Sequence, residues 1–338
     1  MNANRRGLYT FLDLSGFMAS GKLACSELIK EFDGYLVPKG DCEFELIRIQ
    51  GGIRDLENAL VHDWSPIRAD SAIRKFKFVV RRLGRTKRWG APASWLAGMG
   101  NNYEDYYKGA FFPLAQKYLQ HLVEAEWMAN WPYPLVDISD YELIGRRILA
   151  RVGLARALDF KISLGNGDQF LTATQEFLES LLATRAEQST RVIVTHNAFE
   201  PFNPMRATRY FCNAKCIIVD RDPRDSFFAM NSARHMALGV DDYIARFARF
   251  RKEVRCDSTE AGIVLRIRFE DLVLDYDSSV KKILYFLGEH EGIHLRKQAH
   301  FDPSRAINSI AIWKQYSDRK QMNRIGDALR VFCDPRCD

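Results

Sequence analysis

The chain has 338 residues, of which 47% are hydrophobic and 27% charged, which is the composition of a globular protein with a substantial core. Its net charge of +6 suits an anionic ligand, but the basic residues are spread along the sequence and predict no concentrated surface for nucleic acid. No segment reaches the roughly 18 consecutive apolar residues of a membrane span. We therefore expect a cytoplasmic protein with no nucleic-acid partner and no transmembrane segment.

An apolar run near the start follows Arg5-Arg6, as in a secretory signal, but Asp13 interrupts it. We therefore interpret Leu8–Leu14 as the first core strand. The seven cysteines are odd in number, and their spacing matches no zinc ribbon or zinc finger. We expect free thiols in a reducing compartment, and we expect no metal site.

Short segments rich in Ile, Val and Leu recur along the chain and predict buried parallel strands. The four predicted strands are Leu8–Leu14, Arg191–Thr195, Lys215–Asp220 and Gly262–Phe269. Amphipathic helices are predicted between and after them, at Lys22–Phe32, Phe227–Met236, Asp241–Lys252 and Ser278–Leu287. This alternation predicts an α/β fold with a doubly wound, mainly parallel sheet.

A long insertion, about residues 50–188, separates the first strand-loop-helix from the second strand. It is predicted to be mostly helical, with helices at Ile67–Leu83, Tyr103–Trp127, Tyr141–Leu158 and Gln169–Thr184. The insertion is rich in large aromatic side chains, whose faces pack well against sugars and polycyclic molecules. We expect residues 1–338 to form a single domain that includes this insertion.

The loop after the first strand fits the pattern G-x-x-x-x-G-K, from Gly16 to Gly21 and Lys22. Its glycines let the backbone wrap closely, so that N–H groups and the start of the next helix face a phosphate. A magnesium–nucleotide site would need Ser or Thr after the lysine, and this chain has Leu23. The loop therefore predicts a phosphate site for a donor that needs no metal.

Two more polar groups follow predicted strands. His196 ends the second strand, and Arg221 and Arg224 follow the third in the segment Arg221-Asp222-Pro223-Arg224-Asp225. Open α/β sheets bind ligands at the carboxyl ends of their strands, where these residues fall. Guanidinium groups suit phosphate, and a histidine there can accept a proton near neutral pH. Asp225 is predicted to cap the next helix.

Taken together, these motifs resemble those of the PAPS-dependent sulfotransferase family, which has a P-loop nucleotide-kinase-like fold. Ser20-Gly21-Lys22 resembles its 5′-phosphosulfate loop, Thr195-His196 its strand with the base, and Arg221–Asp225 its 3′-phosphate segment R-x-P-x-D. Its later elements are matched by Ile267–Leu272, Lys282–Gly288, and Asn308 with Trp313-Lys314. The resemblance covers about residues 8–32 and 188–318.

The chain departs from the family pattern at three positions, one of which is Val194, where soluble members have a lysine two residues before the histidine. The lysine that precedes the Ser-Gly pair in many members is Ala19 here, and Lys22 follows the pair instead. The serine found eight residues after the 3′-phosphate arginine is Ala229, so Ser226 or Ser232 is a candidate replacement.

The resemblance implies in-line transfer of a sulfonate group from PAPS to an acceptor, with PAP as product and no metal required. It assigns binding of the phosphosulfate to Ser20, Gly21, Lys22 and Leu23, and binding of the 3′-phosphate to Arg221, Arg224 and Ser232. Lys22 would be the cation that stabilises the leaving group, and His196 would be the general base. The predicted acceptor is a bacterial glycan or a small natural product. The insertion would form the acceptor side, with Asp55, Glu57, Trp64 and Tyr106 as candidate contacts.

Two alternatives stay open. In an ATP-dependent kinase of the same fold, Lys22 would be the P-loop lysine and Asp220 the metal-binding carboxylate, although Leu23 argues against this reading. In a nucleotide-binding protein without catalysis, the displaced lysine and Ala229 would be tolerated. The sequence does not choose between O- and N-sulfonation, and it gives no oligomeric state.

Overall fold

The computed structural model describes residues 7–39, 42–85, 102–153, 159–232, 238–254 and 262–337. The chain divides into two compact units. The first unit combines Met1–Phe44 with Ala186–Asp338, and the second is Glu45–Arg185. Of the helices described, none is both long and apolar enough to cross a membrane.

The strands confirm the predicted α/β class. They are β1 (Thr10–Ser15), β2 (Tyr35–Leu36), β3 (Val123–Asn130), β4 (Asp159–Gly165), β5 (Val192–His196), β6 (Ala214–Asp220) and β7 (Val264–Arg268). In the first unit, five strands form a parallel sheet in the order β2-β5-β1-β6-β7. The four predicted strands are therefore confirmed, and the short edge strand β2 is an addition.

The register of this sheet brings the ends of its central strands together. Thr195 lies opposite Asp13 and His196 opposite Leu14, while Ser15 is paired with Ile218 on the other side. Because the strands are parallel, the loops that follow β1, β5 and β6 all leave the same edge of the sheet.

Alternation along β1 divides its side chains between the two faces of the sheet. Leu12 and Leu14 are fully buried and belong to a core cluster with Leu28 and Ile29 of the first helix. Asp13, between them, points to the opposite face and is also fully buried. A charged side chain thus lies inside the central strand, one step before the glycine-containing loop.

The helices of the first unit are Lys22–Ile29, Met205–Thr208, Pro223–Ser232, Val240–Glu253, Phe269–Leu274, Tyr276–Leu287, Pro303–Ala306 and Arg319–Ala328. The helix predicted at Phe227–Met236 begins earlier than expected, and residues 233–236 lie outside the described residues. The prediction that Asp225 caps this helix is wrong. Pro223 occupies the first turn, where proline is favoured, and Asp222 Oδ1 accepts from the N–H of Arg224 at 2.8 Å.

The second unit contains the helices Ile53–Glu57, Pro66–Gly84, Tyr103–Tyr106, Phe111–Leu122, Asp140–Arg151 and Phe170–Leu182, with a π-helical turn at Asn58–His62. It also contains an antiparallel pair formed by β3 and β4. The helix predicted over Tyr103–Trp127 is therefore wrong beyond Leu122. Glu, Ala and Met favour helix in this segment, but pairing with β4 overrides that propensity.

The helix predicted over Tyr141–Leu158 ends at Arg151, and residues 154–158 lie outside the described residues. The six cysteines described form no disulfide bond with one another; Cys256 falls among the residues not described.

The buried carboxylate of Glu31 connects the end of the first helix to the segment around His294 and Phe301. Glu31 Oε2 lies 2.7 Å from Nε2 of His294 and accepts from the N–H of Gln298, while Oε1 accepts from the N–H groups of His300 and Phe301. Burial alone would raise the pKa of Glu31, but these hydrogen bonds outweigh it and lower that pKa. The ionised form of Glu31 therefore stabilises the fold.

We expect Glu31→Gln to lower the free energy of unfolding at neutral pH by about 2–4 kcal/mol. The substitution replaces one carboxylate oxygen, which accepts two hydrogen bonds, by an NH₂ group that can only donate. Urea unfolding measures this loss. Because the pKa of Glu31 is lower in the folded chain, its ionised form stabilises the fold fully at pH values above the ordinary pKa of 4.5. The difference in free energy of unfolding between wild type and variant should therefore narrow as the pH falls below 4.5. Glu27→Gln, at a partly exposed glutamate paired with Lys30, should cost less than about 1 kcal/mol; equal losses for both variants would contradict the assignment.

Candidate functional site

Asp13 organises the edge of the sheet where β1 and β5 end. Its Oδ1 accepts from the hydroxyl of Thr195 and from the N–H of Ala198, both at 2.8 Å. Its Oδ2 accepts from the hydroxyl of Ser15 at 2.5 Å and from the N–H of Phe199 at 3.3 Å. Burial raises the pKa of Asp13, although all four hydrogen bonds oppose that shift. The carboxyl group thereby fixes the loop after β5 to the central strand.

Asn197, inside that loop, connects it to the glycine-containing loop. Its backbone lies in the left-handed region with φ 51°, which asparagine tolerates better than most residues. Its Oδ1 accepts from the N–H of Gly16 at 3.0 Å, and its Nδ2 donates to Glu43. The start of the glycine-containing loop is therefore held by the loop that follows β5.

The loop itself has the backbone of a close-fitting cradle. Met18 and Ala19 lie in the left-handed region with φ 56° and 53°, and Gly21 follows with φ 83° at the N-cap of the first helix. A Cβ at position 21 would lie 2.6 Å from the ring of Phe269. A Cβ at position 16 would lie 2.1 Å from Oγ of Ser20. The Phe269 ring and the positive φ thus favour glycine at position 21, whereas at position 16 the Ser20 hydroxyl and the Val219 carbonyl at 3.0 Å leave little room for a Cβ.

Lys22 begins the helix and is buried, and its Nζ donates to Oε1 of Glu43 at 2.8 Å. The same carboxylate oxygen accepts from Asn197. Glu43 therefore places a negative charge where the sequence pattern predicts a phosphate. Leu23, the next residue, is 43% exposed and carries no hydroxyl that could hold a metal.

His196 lies at the end of β5 and is fully buried. Its Nε2 is 2.9 Å from the hydroxyl of Ser26, which lies one helical turn after Lys22. Its backbone carbonyl accepts from the N–H of Phe44 at 3.0 Å. The structure thus connects His196 to the helix of Lys22 through Ser26 and to the Glu43 segment through the backbone.

Arg221 reaches the glycine-containing loop from the end of β6. Its Nη1 donates to the carbonyl of Ala19 at 3.4 Å and its Nη2 to the carbonyl of Ser309 at 2.5 Å. Its guanidinium lies 4.8 Å from the ring centre of Phe269, the ring that also packs against Gly21. Nε of Arg221 is buried and has no hydrogen-bond partner among the described residues.

The other predicted 3′-phosphate residues are placed differently. Arg224 donates to both carboxylate oxygens of Asp222, at 3.0 and 2.8 Å, and its guanidinium lies 4.5 Å from the ring centre of Trp313. Ser232 is exposed at the last position of its helix, about 12 Å along the axis from Arg224 at 1.5 Å per residue. Ser226 is buried in the first turns of that helix.

The four predicted acceptor residues lie in the second unit. Asp55 Oδ2 accepts from the N–H of Gly51 at 2.6 Å, which makes it part of a helix start. Glu57 is buried, with Oε1 at 3.8 Å from Nε2 of His62. Trp64 and Tyr106 each hold a local contact: Trp64 Nε1 donates to the carbonyl of Gly165 at 2.8 Å, and the guanidinium of Arg185 lies 4.4 Å from the ring centre of Tyr106.

A cavity of about 740 Å³ lies on the second unit near its antiparallel strands, and none of the four predicted acceptor residues is among the described residues that line it. Its lining combines apolar surface with charged groups from Lys77, Glu126 and Lys161. Lys77 and Lys161 both pair with Glu126.

Sequence reasoning missed Asp13, Ser26, Glu43 and Asn197. Asp13 carried a signal, since a carboxylate inside an apolar strand must be paired. Ser26 carried a weaker signal, since it lies four residues after Lys22 and therefore on the same helix face. Nothing in the local pattern distinguishes Glu43 or Asn197. A ligand with two phosphate groups can be held at this single sheet edge. The groups available there are one cradle of backbone N–H groups, one lysine, one histidine and one arginine.

Part of the chain is similar to a known protein family. Residues 145–291 match the model of the sulfotransferase family, a segment that includes β5, β6 and β7. Over these residues the chain is similar to the sulfotransferase family, which its motifs also resemble. No curated protein sequence matches the chain.

Three solved structures are similar in fold, at low identity. The sulfotransferase domain of the Synechococcus PCC 7002 olefin synthase has 14% identity, 97% of each chain covered and a TM-score of 0.42. The sulfotransferase domain from the curacin biosynthetic pathway has 14% identity, 96% and 98% coverage and a TM-score of 0.39. Retinol dehydratase, in complex with androsterone and inactive cofactor PAP, has 12% identity, 95% and 80% coverage and a TM-score of 0.36. TM-scores this low place no side chain of the site.

The close contact of Gly21 with Phe269 predicts a large effect of Gly21→Ala. The added Cβ meets the ring, and alanine is unfavourable at the positive φ of position 21. We therefore expect the free energy of unfolding to fall by about 2–4 kcal/mol. Chemical unfolding followed by circular dichroism measures the change.

Gly288→Ala is the matched control for Gly21→Ala. Gly288 has a similar φ of 76°, but a Cβ there meets no atom within 4 Å. We expect it to cost about 1–2 kcal/mol, which is the penalty of the left-handed backbone alone. Equal losses for the two variants would show that Phe269 does not restrict the cradle.

Proposed function

We propose that this chain transfers a sulfonate group from PAPS to a hydroxyl or amine of an acceptor by direct in-line displacement. The observation that carries the proposal is the contact of Arg221 with the glycine-containing loop at Ala19. It joins the predicted 3′-phosphate residue and the predicted phosphosulfate loop into one site.

The donor-binding residues fit two separate phosphate groups. The loop from Gly16 to Lys22 offers backbone N–H groups and the N-terminus of a helix, which suit the phosphosulfate end of the donor. Arg221 offers a guanidinium whose Nε is buried and lacks a partner among the described residues, which suits a phosphate oxygen. When bound, PAPS supplies the activated sulfonate and a phosphate leaving group.

Lys22 is proposed to neutralise the charge that develops on the leaving oxygen. In the structure its ammonium donates to Glu43, so donor binding must exchange a carboxylate for a phosphate oxygen at this position. Two anions compete for one cation, and Glu43 therefore weakens donor binding in this proposal.

His196 is proposed to accept the proton of the attacking hydroxyl or amine. Its hydrogen bond with Ser26 orients the imidazole. Glu43 is a second group with the chemistry of a base, since its side chain is 26% exposed and lies beside Lys22. The two assignments predict different effects of mutation.

The kinase alternative is weakened by the position of Asp220. A kinase would need this carboxylate for its metal, but Asp220 accepts from Arg251 and from Arg266, each at 2.9 Å. Two guanidinium groups already neutralise the charge that would hold magnesium. We accordingly propose that no metal takes part in the transfer.

The acceptor is proposed to be a glycan or a small natural product, bound by residues of the second unit. Asp55, Glu57, Trp64 and Tyr106 remain candidates for this role. Aromatic surface in this unit supports the class of acceptor, because flat sugars and ring systems pack well on aromatic faces.

Calorimetric titration with PAP tests the donor site. Wild type should bind PAP without metal, and Arg221→Ala should bind it about 10- to 100-fold more weakly, since a hydrogen bond to a charged group contributes about 1.5–3 kcal/mol. Arg206→Ala, at an exposed arginine of the Met205–Thr208 helix, should leave PAP affinity unchanged. Tight binding of ATP with Mg²⁺ and no preference for PAP would establish the kinase alternative instead.

Sulfonate transfer from ³⁵S-labelled PAPS to a panel of alcohols, phenols, amines and oligosaccharides tests the base. We expect His196→Ala to lower kcat by about 10²- to 10⁴-fold while PAP affinity stays unchanged. Glu43→Gln should tighten PAP binding, because it removes the competing charge beside Lys22. Loss of turnover in Glu43→Gln, with turnover retained in His196→Ala, would transfer the role of base to Glu43.

A further inference from the structure

Three buried side chains outside the proposed transfer chemistry lie together behind Arg221. One ligand atom each of Asp225, Glu270 and Cys337 falls within 4.8 Å of the others. All three residues are fully buried. They come from the Pro223–Ser232 helix, from the Phe269–Leu274 helix and from a short 3₁₀ turn at Pro335–Cys337.

The carboxylates are oriented by backbone N–H groups. Asp225 Oδ1 accepts from Trp313 and Oδ2 from Ala311, both at 2.9 Å. Glu270 Oε1 accepts from Asp222 at 2.8 Å, while Oε2 is buried with no hydrogen-bond partner among the described residues. Hydrogen bonds of this kind hold metal-ligating carboxylates in place.

The charge of this cluster is poorly compensated. Arg221 is a cation that faces it, with Nη2 at 3.9 Å from Asp225 Oδ2. The nearby Arg224 pairs with Asp222. Two buried carboxylates and a thiol therefore need protons or a second cation.

We propose that Asp225, Glu270 and Cys337 bind a divalent transition metal, with zinc as the metal that fits best. A thiolate together with carboxylate oxygens is a donor set that zinc accepts and that magnesium and calcium disfavour. The three side chains would fill three of the four positions that zinc takes, and a water molecule would fill the fourth. None of the three takes part in the proposed sulfonate transfer, so the metal proposal does not depend on the proposed function.

The spacing of the cysteines gave no sign of this site, because zinc ribbons and fingers draw their ligands from closely spaced pairs. Here the ligands are far apart in the sequence, and two of them are carboxylates. Cys337 belongs to the C-x₃-C pair with Cys333, but Cys333 points elsewhere: its Sγ lies 3.8 and 3.6 Å from the carbonyls of Gly326 and Leu329.

Cobalt titration of the full chain, purified and then treated with EDTA, tests this proposal. We expect saturable binding of Co²⁺ with a near-ultraviolet charge-transfer band from thiolate to metal, and loss of that band when Zn²⁺ is added. Cys337→Ser should abolish the band, whereas Cys333→Ser, the matched control, should keep it. Zn²⁺ should also raise the thermal midpoint of wild type and of Cys333→Ser but not of Cys337→Ser.

Glu270→Gln keeps the test decisive if Cys337→Ser fails to fold. It retains the thiolate band but should bind Co²⁺ at least about tenfold more weakly than wild type. Absence of saturable Co²⁺ binding by the folded wild-type chain would overturn the proposal. So would a thiolate band that persists unchanged in folded Cys337→Ser, or a Co²⁺ affinity of Glu270→Gln equal to that of wild type.

Discussion

The hydrogen bonding of the buried Asp13 is the constraint on which the rest of the site depends. A carboxyl group buried in the central strand is costly unless its oxygens are fully paired. Four donors from Ser15, Thr195, Ala198 and Phe199 satisfy it, and three of them come from the end of β5 and the loop that follows. The hydrogen bonds that one buried carboxyl group requires thereby hold the loop after β5 against the central strand.

Apolar patterning predicted the central sheet well because its strands are buried on both faces, so that burial alone decides their composition. It failed for Val123–Asn130, where exposed residues form a strand only because Asp159–Gly165 pairs with them. The paired residues lie 29 to 42 positions apart in the sequence, from Asn130 with Asp159 to Val123 with Gly165, and a local window of residues does not contain both. The short edge strand Tyr35–Leu36 was missed for the same reason.

In the candidate site, too, some residues follow a local sequence pattern and others are defined only by contacts in the folded chain. Gly21, Lys22 and Arg221 could be found because phosphate binding demands glycine turns and cations at fixed positions after strands. Glu43 and Ser26 could not, since their importance lies in contacts with Lys22 and His196 that only the folded chain creates. These contacts place Glu43 against Lys22 and connect His196 to the first helix through Ser26.

The most direct test of the donor site is a crystal structure of the chain with PAP. We expect the 5′-phosphate to lie against the backbone N–H groups that begin the first helix, with Lys22 released from Glu43 and bound to a phosphate oxygen. We expect the 3′-phosphate on the guanidinium of Arg221, with Nε as one of its donors. A nucleotide bound elsewhere, with Arg221 still held by the carbonyls of Ala19 and Ser309, would contradict this assignment.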